Sequence, residues 1–248
     1  MKVRLVSFTP KPLEAIATAA AITRGTTYDE FRMAHGDGSW KTQSEYRRYL
    51  EQYVKGLYEA GHWSVFEFAE FDFEVEGVSR VFEVQAVRSR IGSYEWESGR
   101  VASCAYEASD MAHELGIVRA IEEGIADYEI NVSCGSFAED ARYMLPQGVA
   151  RKGRIKKNLR AWMETAHQRL CSRTQAEYRE FMQEVKGQIT GMDELLGSLL
   201  IPKCEWLGYC TERNGCGHMP SKTEVLAGYL DLLATTKVEL KENAGEDS

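Results

Sequence analysis

Apolar and polar positions alternate through Met1–Phe8, with Val3, Leu5 and Ser7 on one side, and this period of two predicts a strand. Leu13–Ile22 is alanine-rich and reads as a helix stopping near Gly25. In Ser44–Ala60 the residues Tyr46, Leu50, Tyr53, Val54, Leu57 and Tyr58 recur at helical spacing, and Gly61 supplies a C-terminal stop. The period returns to two where Phe71, Phe73 and Val75 alternate with Asp72, Glu74 and Glu76, the pattern of a half-buried strand. Ser79 then caps a helix whose apolar run, from Val81 to Val87, leads into Arg88. Residues 107–130 predict a helix, and Glu139–Leu145 a shorter segment ended by Pro146. A long helix is expected over Lys157–Lys186, with a glycine break at Gly187 and Gly191. Ser221-Lys222-Thr223-Glu224 fits a capping box that opens a last helix to about Ala234. The charged tail Glu239–Ser248 is expected to be disordered. With no internal repeat and no linker, the pattern predicts one α+β domain over residues 1–238.

Composition leaves that picture standing: 248 residues, 44% hydrophobic and 27% charged, suffice for one large core. A net charge of −8 argues against nucleic acid or membrane as the main partner. No apolar run reaches membrane-spanning length and the N-terminus lacks the order of a signal peptide, so the cytoplasm is the expected compartment. Six cysteines in a chain of this size read as reduced thiols.

Charge distribution changes the picture more. Arg151, Lys152, Arg154, Lys156, Lys157, Arg160, Arg169 and Arg173 crowd into residues 151–173 against a single acid, Glu164. Such an island in an acidic chain points to small anionic ligands, or to a solvated basic face. Residues 88–100 add three arginines and three serines in thirteen positions, directly after a buried-type helix. Guanidinium forks pair with phosphate oxygens and serine hydroxyls complete such a shell, which makes this stretch a nucleotide-phosphate candidate.

The order of motifs resembles the flavin-dependent thymidylate synthases. Their hallmark, Arg-His-Arg-x-x-Ser-x-Asn-Glu-x-Ser-x-Arg, is matched at Arg88, Arg90, Ser93, Ser98 and Arg100. Gly61-His62-Trp63-Ser64-Val65-Phe66-Glu67 is similar to an upstream segment of that family, and Gln85 falls where the family has glutamine. Downstream, Ala141-Arg142-Tyr143-Met144-Leu145-Pro146, Asn158-Leu159-Arg160, and Arg169 followed by Gln175 and Glu177 match in order, as does the tail from Pro202 through Cys204 and Cys210 to Cys216-Gly217.

The resemblance implies a mixed or antiparallel sheet with long helices, assembled into a homotetramer whose active sites form between subunits. It implies FAD, NADPH as its reductant, and methylenetetrahydrofolate as donor of a one-carbon unit to C5 of a deoxypyrimidine monophosphate, dUMP by default. Gln85, Ser98, Gly99, Arg100 and Arg142 are then expected to hold the nucleotide, with Arg88 arriving from a neighbouring subunit. Ser64, Glu67, Arg90, Ile91, Asn158 and Arg160 are expected at the flavin, with Arg88 within its reach. Arg169 is expected to face the pyrimidine and polarise it, as a permanent guanidinium in a dry site suits. No metal is called for.

The chain departs from the family where histidine is replaced by Ser89, asparagine by Glu95 and Glu164, glutamate by Trp96, and a further histidine by Arg173. An amide both donates and accepts, whereas an ionised glutamate only accepts. Glu95 or Glu164 in a base pocket would favour a base edge that donates, as cytosine does, so dCMP is an alternative substrate. Quenching of the one-carbon adduct by water would give a hydroxymethyl product, as in a phage enzyme making modified DNA precursors. The plainer reading is that these acids pair with Arg90, Arg160 or Arg173, Glu164 standing four residues from Arg160 on one helix.

Cys204, Cys210, Cys216 and His218 lack the usual zinc-knuckle spacing, so a metal-free tail is expected. Two further classes compete with the enzyme: a degenerate relative that binds nucleotide or flavin without turnover, and a nucleic-acid binder using residues 151–173, disfavoured by the overall charge.

Overall fold

Phe71, Phe73 and Val75 are fully buried in an antiparallel sheet, as their alternation predicts. The computed structural model describes residues 1–36, 42–98, 106–230 and 232. Its elements run β1 (Lys2–Phe8), α1 (Pro12–Ile22), α2 (Tyr28–His35), α3 (Gln43–Glu59), β2 (Glu70–Ser79), α4 (Arg80–Ala86), β3 (Ser93–Trp96), α5 (Asp110–Glu114), α6 (Val118–Ser133), α7 (Ala138–Ala141), β4 (Ala150–Asn158), α8 (Leu159–Arg169), α9 (Ala176–Met192), α10 (Glu194–Ser198) and α11 (Lys203–Leu207). Short 3₁₀ turns cover Trp63–Phe68 and Arg142–Met144. Residues 222–230 are helical behind the expected capping box, in which Glu224 N donates to Ser221 Oγ and Ser221 N to Glu224 Oε2.

The strands order β1-β2-β4-β3, each antiparallel to its neighbour, and the helices pack around them in an α+β arrangement. Trp162 on α8 sets its ring edge-to-face against Phe73, centroids 5.3 Å apart, and its Nε1 donates to the Phe71 carbonyl at 3.2 Å. A second, smaller cluster gathers Tyr106, Ile121, Ile125, Tyr128 and Val149 under α6. Among the described residues no helix is long and apolar enough to cross a membrane.

Three expectations are corrected. The helix expected over Lys157–Lys186 is the last part of strand β4 and then two helices, α8 and α9, separated by residues 170–175. Strand β4 hides from a periodicity reading because two of its inward-facing residues, Arg151 and Lys157, are cations. The expected glycine break at Gly187 and Gly191 does not occur. Both lie on the exposed side of α9, whose inward face continues through Val185 and Ile189. An exposed mid-helix glycine costs about 1 kcal/mol, less than that apolar face returns. The helix expected over residues 107–130 is instead two, α5 and α6, parted at Gly116, whose φ of 68° lies in the left-handed region. The tail over Glu239–Ser248, together with Gly99, Arg100 and Cys104, falls outside the described residues.

One joint fixes the elements around the site. Ser79 caps α4 by accepting from Phe82 N at 3.1 Å. Its own N–H and hydroxyl donate to the buried Glu177 carboxylate on α9, each at 2.6 Å. Burial pushes the Glu177 carboxyl up, against the two Ser79 bonds that pull it down. The start of α4 is thereby tied to the start of α9.

Candidate active site

Between α4, α8 and α9 lies a cavity of about 160 Å³. Helix α4 contributes Gln85, and the turn after it contributes Arg88 and Ser89. Helix α8 adds Glu164, Thr165 and Arg169, and α9 adds Tyr178. Gln85, Arg88 and Arg169 of one chain therefore border the same cavity.

The Arg169 guanidinium is held in a defined plane. Its Nη1 donates to Gln85 Oε1 at 3.1 Å, and its Cζ lies 4.4 Å from the centroid of the Tyr178 ring. Gln85 is oriented in turn because its Nε2 donates to Gln175 Oε1. Burial pushes the Tyr178 phenol well above its ordinary range, against the nearby Arg169 charge, so the ring stays neutral. Stacking and one amide bond occupy part of a group with five donors, leaving others for a ligand. Among the described residues neither Arg88 nor Arg169 has a carboxylate within ion-pair distance. Two such guanidiniums on one cavity wall suit an anionic guest with a carbonyl-bearing ring.

Beside this cavity, Glu67 and Arg160 come together, Arg160 Nη1 donating to Glu67 Oε1 at 2.7 Å. Arg160 also donates to Glu164 at 3.2 Å, which is the plain i,i+4 pair. These acceptors hold the Arg160 guanidinium above its usual range. Asn158 spends its side-chain oxygen as the cap of α8, accepting from Ala161 N at 2.8 Å. Ser64 is exposed in the 3₁₀ turn, and Arg90 and Ile91 are exposed between α4 and β3.

Arg142 lines a separate cleft of about 430 Å³, with Arg80, Arg151, Tyr106 and Tyr143. Within one chain, then, Arg142 and Arg169 do not meet. Ser98 lies exposed just beyond β3. Glu95 is absent from the cavity wall: it sits exposed on β3 opposite Arg154, so of the two acids considered for a base pocket only Glu164 borders the cavity. Trp96 lies opposite Gly153, and a Cβ there would fall inside the tryptophan ring's contact distance. It is packing, with its ring edge toward Phe82. Arg173 borders a third cavity, of about 270 Å³, with Cys171, Cys204, Cys210 and Cys216.

Periodicity missed one residue behind the site altogether. Lys157 on β4 is 2% exposed. Its Nζ lies 3.0 Å from Ser89 Oγ and 2.9 Å from Thr165 Oγ1, between the rings of Tyr94 and Trp162. Burial pushes the amine down to about 7; the Arg169 charge adds to that, and Glu164 opposes it. The signal was present in the basic island, but only the strand geometry separates this inward lysine from its exposed neighbours.

Residues 4–192 match the family model described as thymidylate synthase complementing protein. The chain is 33% identical over 233 residues to the flavin-dependent thymidylate synthase of Thermococcus onnurineus, covering 86% of this chain and 89% of that one. To the enzyme of the same name from Pyrococcus horikoshii it is 33% identical over 237 residues, covering 86% and 90%. To that of Nitratidesulfovibrio vulgaris it is 30% identical over 240 residues, covering 88% and 95%. The motifs carried by Gln85, Arg88, Arg142 and Arg169 all fall within the matched stretch, and the chain belongs to the thymidylate synthase complementing protein family of flavin-dependent thymidylate synthases.

Proposed function

We propose that the protein transfers a one-carbon unit from methylenetetrahydrofolate to C5 of dUMP, with FAD as the bound redox group and NADPH as its reductant. The observation that carries this reading is the Arg169 guanidinium, stacked on Tyr178 and oriented by Gln85 on one wall with Arg88. A pyrimidine C5 becomes nucleophilic when negative charge on the ring carbonyls is stabilised. A cation already in place for that charge contributes more than one that must reorganise. Arg169 is assigned that role, and Gln85 and Arg88 are assigned to the nucleotide.

The residues assigned to the flavin fit a dinucleotide by the chemistry of their donors. Arg88 and Arg90 carry no carboxylate partner among the described residues and suit a pyrophosphate, with Ser64, Glu67, Ile91, Asn158 and Arg160 alongside. When bound, FAD supplies the hydride that turns the one-carbon unit into a methyl group.

Ser98, Gly99, Arg100 and Arg142 are assigned to the nucleotide from another copy of the chain. In support, Tyr143, which lines the Arg142 cleft, is 87% exposed, and Phe137 at the start of α7 is 75% exposed, with Met144 exposed in the turn that carries Arg142. Apolar surface of this kind marks an interface. A tetramer in sedimentation is expected, and a monomer at working concentration would leave the Arg142 half of the assignment without a partner.

Glu164 favours a second reading. It borders the cavity as an acceptor-only group, which suits the exocyclic amine of dCMP, with a hydroxymethyl product if water intercepts the adduct. The test offers dUMP and dCMP separately, with methylenetetrahydrofolate and with or without NADPH, and weighs the product. NADPH-dependent methylation of dUMP supports the first reading. A dCMP product heavier by formaldehyde supports the second, and no product from either leaves only a nucleotide-binding relative.

A further inference from the structure

Lys157 is the one lysine of the described residues that is almost wholly buried, and it has no carboxylate within ion-pair distance. Its surroundings account for its hydrogens. Thr165 Oγ1 already donates to the Ala161 carbonyl at 2.7 Å, so it accepts from Lys157 at 2.9 Å. A second bond runs to Ser89 Oγ at 3.0 Å, and the aromatic faces of Tyr94 and Trp162 lie 5.6 and 5.0 Å away. Ser89 and Thr165 both border the cavity that holds Arg88 and Arg169, so only two hydroxyl groups separate the amine from a guest there. Two hydroxyls and two rings are weak compensation for a buried ammonium, and Arg169 adds like charge.

We infer that Lys157 is a positioning residue of this cavity: its amine takes up a proton from solvent as an anionic nucleotide enters, and acts on that nucleotide through the Ser89 hydroxyl. The bond order is Lys157 Nζ–H to Ser89 Oγ, leaving the Ser89 O–H free to donate into the cavity. Ser89 stands where the resembling family has histidine, so in this chain a hydroxyl backed by an amine occupies that place. The titratable and charged groups nearest the amine are Glu164 and Arg169 on α8 and Tyr94 on β3, while Arg88, in the turn after α4, and Tyr178 on α9 border the same cavity. Burial holds both phenols above their ordinary range. An amine poised at about 7 is the group of this set that gains a proton between pH 7 and 8.5 when negative charge arrives. The second ionisation of a phosphate monoester, near 6, lies below that window.

The inference rests on the mononucleotide reading above, and the experiment separates the two. Protein reconstituted with FAD is titrated calorimetrically with dUMP at pH 8 in buffers of different ionisation enthalpy, and the dUMP Kd is followed from pH 7 to 8.5. Expected are a net uptake of up to one proton and a Kd that weakens by up to about tenfold per pH unit, as linkage requires. Lys157→Met should flatten that profile and weaken dUMP at pH 7. Lys157→Arg, charged throughout, should flatten it while keeping dUMP tight at pH 8.5. If dUMP binds the unsubstituted protein with no proton uptake at pH 8, or if Lys157→Met keeps the slope, the inference is overturned and the nucleotide reading stands. If dUMP does not bind the unsubstituted protein at any pH, the nucleotide reading fails and this inference with it.

Discussion

Arg169→Ala should lower dUMP turnover by about a thousandfold, the usual scale for removing a preorganised group that meets developing charge. The loss should fall on kcat as well as on dUMP affinity, because the role proposed for the guanidinium is to meet charge that grows as C5 attacks. Its position makes the prediction specific. Arg169 ends α8, half-buried, with Tyr178 beneath its plane and Gln85 at its edge. Truncation at a helix end opens no core cavity, so the unfolding midpoint should move little while turnover collapses. Arg169→Lys should not rescue, since an ammonium neither stacks on Tyr178 as a plane nor holds the Gln85 amide at its edge while offering a second fork to the ligand. Single-turnover kinetics with dUMP decide it. Retention of a tenth or more of the activity in Arg169→Ala would refute the assigned role.

The same residues show which parts of the molecule the sequence made legible. Strand β2 and the Ser79 cap are local: the alternation of Phe71, Phe73 and Val75 and a serine before an apolar run carry their own structure. The capping box at Ser221 is of the same kind. Strand β4 is not local, since the pairing that makes it a strand is supplied by β2 and β3 on either side. Its buried Arg151 and Lys157 are compensated by Glu83, Ser89 and Thr165, which lie distant in sequence or on the next helix. A pattern rule that equates inward with apolar assigns those positions to the surface.

The site divides in the same way. Gln85, Arg88, Arg142 and Arg169 stand out as candidates through collinear motifs, and periodicity alone leaves them among solvated charges. The motifs do not say how the residues group. Gln85, Arg88 and Arg169 border one cavity while Arg142 borders another, because α4 and α9 are joined through Ser79 and Glu177 whereas Arg142 follows α7 near the smaller core cluster. That grouping is a tertiary fact. Tyr178 and Lys157, which set the plane of Arg169 and back Ser89, belong to the same level.

The largest stability effect is expected at Arg151. Its side chain is 7% exposed, Nε donates to Glu83 Oε2 at 2.9 Å, and Nη2 donates to the Glu97 carbonyl. Glu83 is nearly as deep, and its other oxygen is met by Arg80, a half-exposed side chain. Arg151→Met removes the buried cation and leaves Glu83 facing Arg80 alone, with the Glu97 carbonyl unanswered. Breaking a buried pair on one side costs about 3–5 kcal/mol, because the remaining charge has lost its solvent and its partner together. Against a total stability of roughly 5–15 kcal/mol, such a loss brings the protein close to unfolding at ordinary temperature. Glu83→Leu in the Arg151→Met background removes the stranded carboxylate, and since a well-packed apolar pair can replace a buried ion pair at little net cost, the double variant should be more stable than either single one. Urea denaturation of the four proteins, followed by tryptophan fluorescence, measures the coupling directly. Additive losses in the double variant would mean that Arg151 stabilises β4 through packing and the Glu97 carbonyl, with the Glu83 carboxylate contributing little.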